Sequence, residues 1–85
     1  MARIIDYDEM NLVGDKIKKL RLERNMSQKE FSEKLEIYAI YICRGSVSRI
    51  EKKIRTITDF ELIAIARVLR VPISELFADL DEKDI

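Results

Sequence analysis

The chain contains no histidine and one cysteine, Cys43. Without histidine it lacks the commonest general base and metal ligand of neutral pH. A lone cysteine forms no internal disulfide and, with no second soft ligand, no zinc site, which fits a reducing cytoplasm. Glycine occurs twice and proline once in 85 residues. That is too little for the many tight turns of a β-sandwich or for a glycine-rich phosphate loop. No apolar run approaches the roughly 18 residues of a membrane span, and Met1-Ala2-Arg3-Ile4-Ile5-Asp6 is unlike a secretory signal. Asp79, Asp81, Glu82 and Asp84 do not have calcium-loop spacing and read as a solvated tail. No enzyme, cofactor, metal or membrane role is expected.

The remaining composition suits one small helical domain. Apolar residues make up 47% and charged residues 38%, the balance of a compact soluble fold rather than a disordered tail. The net charge is zero, but its distribution is uneven. Residues 1–12 carry one basic and three acidic groups, and residues 57–85 carry three basic and seven acidic groups. Between them, residues 13–56 hold twelve basic against six acidic groups, a local excess of +6. An anionic partner reads the local patch and not the chain total.

Periodicity and capping residues outline five helices. Met10, Val13, Ile17 and Leu20 recur at steps of three and four, with Asn11 as N-cap and Asn25 as a left-handed stop. Ser27 with Glu30 is a capping box that opens a second helix, which buries Phe31 and Leu35. A third helix runs from about Cys43 or Arg44 to about Lys52, with Val47, Ile50 and Ile54 opposite its arginines and serines. Thr58 with Glu61 is a second capping box, for a helix with Leu62, Ile65, Ala66 and Leu69 inward. Val71-Pro72 breaks it, and a short fifth helix follows with Ile73, Leu76, Phe77 and Leu80. Helices two and three, the later one carrying arginine and small polar residues, have the layout of a helix-turn-helix DNA reader.

The residues that carry this layout are Ile17-Lys18-Lys19-Leu20-Arg21, Met26-Ser27-Gln28-Lys29-Glu30-Phe31, Ser46-Val47-Ser48-Arg49-Ile50-Glu51 and Ile65-Ala66-Arg67-Val68-Leu69-Arg70-Val71-Pro72-Ile73-Ser74-Glu75-Leu76-Phe77. In this order they resemble the Cro/C1-type helix-turn-helix family, also called the Xre family, over roughly residues 12–77. The resemblance implies an all-α, five-helix, lambda-repressor-like DNA-binding domain over residues 12–78, an N-terminal arm at 1–11 and an acidic tail at 79–85. It implies base contacts from Arg44, Gly45, Ser46, Ser48 and Arg49, and phosphate contacts from Gln28, Lys29, Lys52, Lys53 and Arg55. It also implies a structural ion pair between Arg21 and Glu51, and a helix N-cap at Cys43. The chemistry of these residue types agrees: an arginine fork matches O6 and N7 of guanine, and lysines act on phosphate as point charges. The alternative for both arginines is a solvated helix face. For Cys43 the alternative is a redox-sensitive thiol at a helix N-terminus.

The spacing from Gln28 to Glu51 is about five residues longer than is usual for the motif. The excess lies in Ile37-Tyr38-Ala39-Ile40-Tyr41-Ile42. Three readings stand open: a longer second helix packed in the core, a subunit interface through Ile37, Ile40 and Tyr41, and a short β-like excursion. Phe77 and Leu80 form a second candidate dimer surface. The acidic N-terminal arm is expected to pack on the domain or on a partner subunit.

The function expected is a DNA-binding transcriptional regulator, a repressor by preference, acting as a homodimer on an inverted repeat in the cytoplasm. A protein-interaction module is the competing class, either an antitoxin or a repressor controlled by a protein antagonist or toxin through residues 37–42. A helical domain whose basic middle is only solvated is the third reading.

Overall fold

Both capping boxes form, and each opens a helix. Ser27 Oγ accepts the Glu30 amide at 3.0 Å, and the Glu30 carboxylate accepts the Ser27 amide at 3.2 Å. Thr58 and Glu61 repeat the pattern at 3.2 and 2.9 Å. The computed structural model describes residues 9–80. Within them lie α1 (Gly14–Glu23), α2 (Gln28–Glu36), α3 (Arg44–Glu51), α4 (Asp59–Leu69) and α5 (Ile73–Leu76), with no strand among the described residues. Residues 1–8 of the expected arm and 81–85 of the expected tail lie outside the described residues.

Four helices end in the same way, without a glycine. Asn25, Ala39, Lys53 and Arg70 adopt the left-handed region, with φ from 55° to 64°. After each, the next amide reaches back to a carbonyl five residues earlier: Met26 to Arg21, Ile40 to Leu35, Ile54 to Arg49 and Val71 to Ala66. This closure satisfies carbonyls that a helix end leaves free. At Met26, Ile40 and Val71 the side chain after the turn also returns to the core. That burial offsets the roughly 1 kcal/mol or more that a side chain costs in this conformation.

The core is assembled from every helix. Ile17, Phe31, Leu35, Val47, Ile50, Ile65, Leu69 and Leu76 are fully buried. Helix α2 packs on both α3 and α4, while α1 crosses α3 and α4. A methyl group at Gly14 would overlap the Ile50 carbonyl oxygen, so glycine sets how closely α1 approaches α3.

Three local expectations change. The N-cap of α1 is Val13, not Asn11, although Asn11 Oδ1 still accepts the Val13 and Gly14 amides at 3.1 and 2.8 Å. The Asn11 amide nitrogen donates to the Ile50 and Arg55 carbonyls, so this side chain ties the entry of α1 to the exit of α3. Met10 and Ile54 follow the apolar spacing yet are about half exposed, because Met10 precedes α1 and Ile54 follows α3. The inserted segment is neither one long helix nor a strand. Helix α2 stops at Glu36, the chain reverses through Ala39, and residues 40–43 run without regular structure into α3. Ile42 is buried and Ile40 packs on the core, while Ile37 and Tyr41 point outward.

Candidate nucleic-acid interface

A buried ion pair joins α1 to α3. Arg21 Nε donates to Glu51 Oε2 at 2.7 Å and Nη2 to Glu51 Oε1 at 3.0 Å, a bidentate fork that burial shields from water. Arg21 Nη1 also donates to the Met26 carbonyl at 2.7 Å, at the first residue after α1 has turned. Gln28 Nε2 donates to Glu51 Oε1 at 3.0 Å. One carboxylate at the C-terminal end of α3 is therefore held by α1 and by the first residue of α2. The mutual angle of the two motif helices rests on these contacts and on Phe31, Leu35, Val47 and Ile50 behind them.

The residues on the outer face of α3 are arranged differently. Cys43 is its N-cap, and Arg44, Gly45 and Arg49 are exposed, with Ser46 and Ser48 half-buried between them. Arg49 Nη2 donates to Ser46 Oγ at 2.9 Å, which draws its guanidinium along the helix toward the N-terminal turn. A methyl group at Gly45 would meet only Arg49 Nη1, at an ordinary 3.7 Å, so the surface there is open. The exposed Cys43 thiol is held below its usual pKa, first by the Ser46 hydroxyl at 3.4 Å and then by the Ser46 and Gly45 amides.

The remaining basic residues differ in their commitments. Lys29 and Lys52 are exposed and carry no ion pair among the described residues. Lys53 pairs with Asp15 at 2.9 Å and Glu9 at 3.8 Å. Arg55 forms a two-pronged bond to Glu61, both prongs at 3.1 Å, and also donates to the Thr56 carbonyl. This bond is the main reason that the Glu61 carboxyl is held below its ordinary range. The same carboxylate caps α4, so the loop after α3 and the start of α4 share one anchor.

The two candidate dimer surfaces separate in space. Phe77 faces Met10, Leu12, Ile57 and Leu62 across a shallow recess with no charged residue in its lining. Ile40 lies instead beside Tyr38, Phe60 and Ile63. Ile37 is 79% and Tyr41 78% exposed, and Tyr41 lines neither recess. Leu80 is half-buried at the end of the described chain. Phe60, 76% exposed, and Ile63 went unassigned in the sequence. Their signal was there, since they follow helical spacing but lie off the register of Leu62, Ile65 and Leu69, which makes α4 apolar over more than one face.

Among the described residues there is no cluster of metal ligands and no helix long and apolar enough to cross a membrane. A family model described as helix-turn-helix matches residues 17–76, well over half of the chain. A search of curated proteins gives no match.

Proposed function

Because the chain belongs to the Cro/C1-type helix-turn-helix (Xre) family of DNA-binding regulators, we propose that it represses transcription by binding an inverted repeat as a homodimer. Helix α3 enters the major groove with its N-terminal turn foremost. Arg44 and Arg49 read base edges, and Ser46 and Ser48 offer hydroxyls to bases, phosphates or bridging waters. Gly45 leaves the groove floor room to approach the backbone.

Lys29 and Lys52 are the phosphate contacts whose charges are available. Gln28 keeps a second amide proton beyond the one given to Glu51, next to the free backbone amides that open α2, where an anion is favoured. Lys53 and Arg55 approach the backbone as parts of ion-paired clusters, so they contribute more to position than to affinity. The subunits meet through the uncharged recess of Phe77, Leu62, Ile57 and Met10. Two half-sites then lie about 34 Å apart, one turn of DNA.

The observation that carries this reading is the contrast within α3. An exposed arginine and glycine, with a half-buried serine beside them, open a helix whose other end is locked by the buried Arg21–Glu51 pair. Selection of the purified protein against randomised duplex DNA at physiological salt tests it. Enrichment of a palindrome is expected. A single unrepeated half-site would remove the homodimer, and a folded protein that enriches nothing would remove sequence-specific binding.

A further inference from the structure

A groove between α2 and α4 has no part in the DNA-binding surface. At one end Tyr38, Ile40, Phe60 and Ile63 enclose about 260 Å³, with Arg67 at the margin. Tyr38 and Arg67 are shared with a second recess that adds Ile37, Lys34 and Arg70. Lys34 and Arg70 pass in turn into a third, of about 370 Å³, whose wall includes Arg24 and Asn25. The groove therefore runs along α4 from Phe60 to Arg70, about 15 Å at the helical rise.

Its two halves differ in character. The Phe60 end is apolar and exposed, in a protein too small to leave such a patch open without consequence. Along the rest stand Lys34, Arg67 and Arg70, all exposed and in no ion pair among the described residues, with Arg24 beyond them. The one carboxylate in the lining, Glu30, is already turned to the Ser27 amide. The C-terminal ends of α2 and α4 each supply roughly half a negative charge, which leaves the groove positive.

This charge decides between occupants. In a two-fold dimer through the groove, the cationic half would face either itself or the apolar half of the other copy. Neither arrangement supplies a carboxylate, and burying cations without one is costly. We propose that the groove docks an acidic amphipathic segment of a partner protein. Its apolar anchor sits between Tyr38 and Phe60, and its carboxylates follow on Arg67, Lys34 and Arg70. Arginine forks suit carboxylates in two-pronged geometry, and an anchor followed by charge fixes the direction of the segment. No groove residue is among those assigned to DNA, so a docked segment leaves the reading turn of α3 uncovered.

The probe is a fluorescent helical peptide with phenylalanine and leucine in its first half and glutamates in its second. A control peptide carries glutamine in place of glutamate. Anisotropy at low salt is expected to show the glutamate peptide binding at least about tenfold more tightly, an advantage that high salt erases. Arg67→Glu with Arg70→Glu removes the advantage, and Phe60→Ala weakens both peptides about fivefold. All three positions are exposed, and thermal melts verify that the variants fold. Affinity for duplex DNA should change less than about twofold in each variant. Equal binding of the two peptides overturns the proposal. So does a loss of DNA affinity on Arg67→Glu as large as the loss of peptide affinity, which would make the groove a phosphate surface. Dissociation of a homodimer by Phe60→Asp overturns it as well, because the occupant would then be a second copy.

Discussion

The two ends of α3 use charge in opposite ways. At the C-terminal end three ionic groups near the helix have partners inside the protein, Glu51 with Arg21 and Gln28, Lys53 with Asp15 and Glu9, and Arg55 with Glu61, while Lys52 beside them stays exposed. At the N-terminal end Arg44 and Gly45 stand exposed, and the side chain of Arg49, from the last turn, reaches back to a serine one turn earlier. A helix that must present side chains to another molecule at a defined angle needs both. The locked end sets the angle, and the unlocked end stays available. Basic residues close in sequence are thus divided by tertiary partners into scaffold and surface.

The sharpest way to break the comparison is to open the locked end. Glu51→Ala leaves the Arg21 guanidinium buried without its carboxylate, which costs about 3–5 kcal/mol in comparable cases. In a domain of this size that lowers Tm by roughly 12 °C or more, read by thermal melting. A Tm unchanged by Glu51→Ala would mean that the ion pair does not hold α1 to α3.

On the exposed face of α3, Arg49→Ala should leave Tm within a few degrees but relax base preference. The expected loss is about 1–3 kcal/mol of discrimination, measured by competition between duplexes that differ at single positions. A variant with intact affinity and preference would reassign base reading to Arg44 alone. Replacing Lys52 by alanine is the companion measurement, and it should weaken all sequences alike and flatten the salt dependence.

A smaller effect sharpens the role of Arg55. Arg55→Ala is expected to cost about 1 kcal/mol near neutral pH. Because Arg55 lowers the Glu61 pKa in the folded protein, its contribution is fully present above the ordinary carboxylate range. It disappears as pH falls through the depressed folded value. Melting curves of wild type and variant should therefore converge in acid. Curves that stay parallel down to the lowest pH would assign the cost of the variant to packing alone.

The smallest effect contrasts the two glycines. Gly45→Ala meets open space and removes backbone freedom from an exposed helical turn, so it should stabilise by about 0.5–1 kcal/mol. The same methyl should weaken DNA binding, by filling the approach to the groove. Gly14→Ala, which overlaps the Ile50 carbonyl, should destabilise. Opposite signs in Tm would show that one glycine serves packing and the other serves the surface.

Much of the architecture was legible before any coordinates. Ser27 with Glu30 and Thr58 with Glu61 announced two helix starts, since a capping box is satisfied within four residues. Phe31, Leu35, Ile65 and Leu69 announced their faces by spacing alone. Asn25 announced a left-handed stop, but Ala39, Lys53 and Arg70 carry no such signal. Their conformation is imposed by burial of the residue that follows or by the closing hydrogen bond.

The sequence by itself determined the five-helix order, the basic middle and the residue types available at the start of α3, because propensity, capping and periodicity are local properties. Tertiary structure alone decided which cations are engaged and which remain exposed, since Lys53 and Lys52 are neighbours of the same type with different surroundings. It also decided that Phe60 and Ile63 meet Tyr38 and Ile40, twenty or more residues away in the chain, across a groove edged by Arg67. Partners at that separation are chosen by how helices pack, and a one-dimensional pattern does not contain the packing angle.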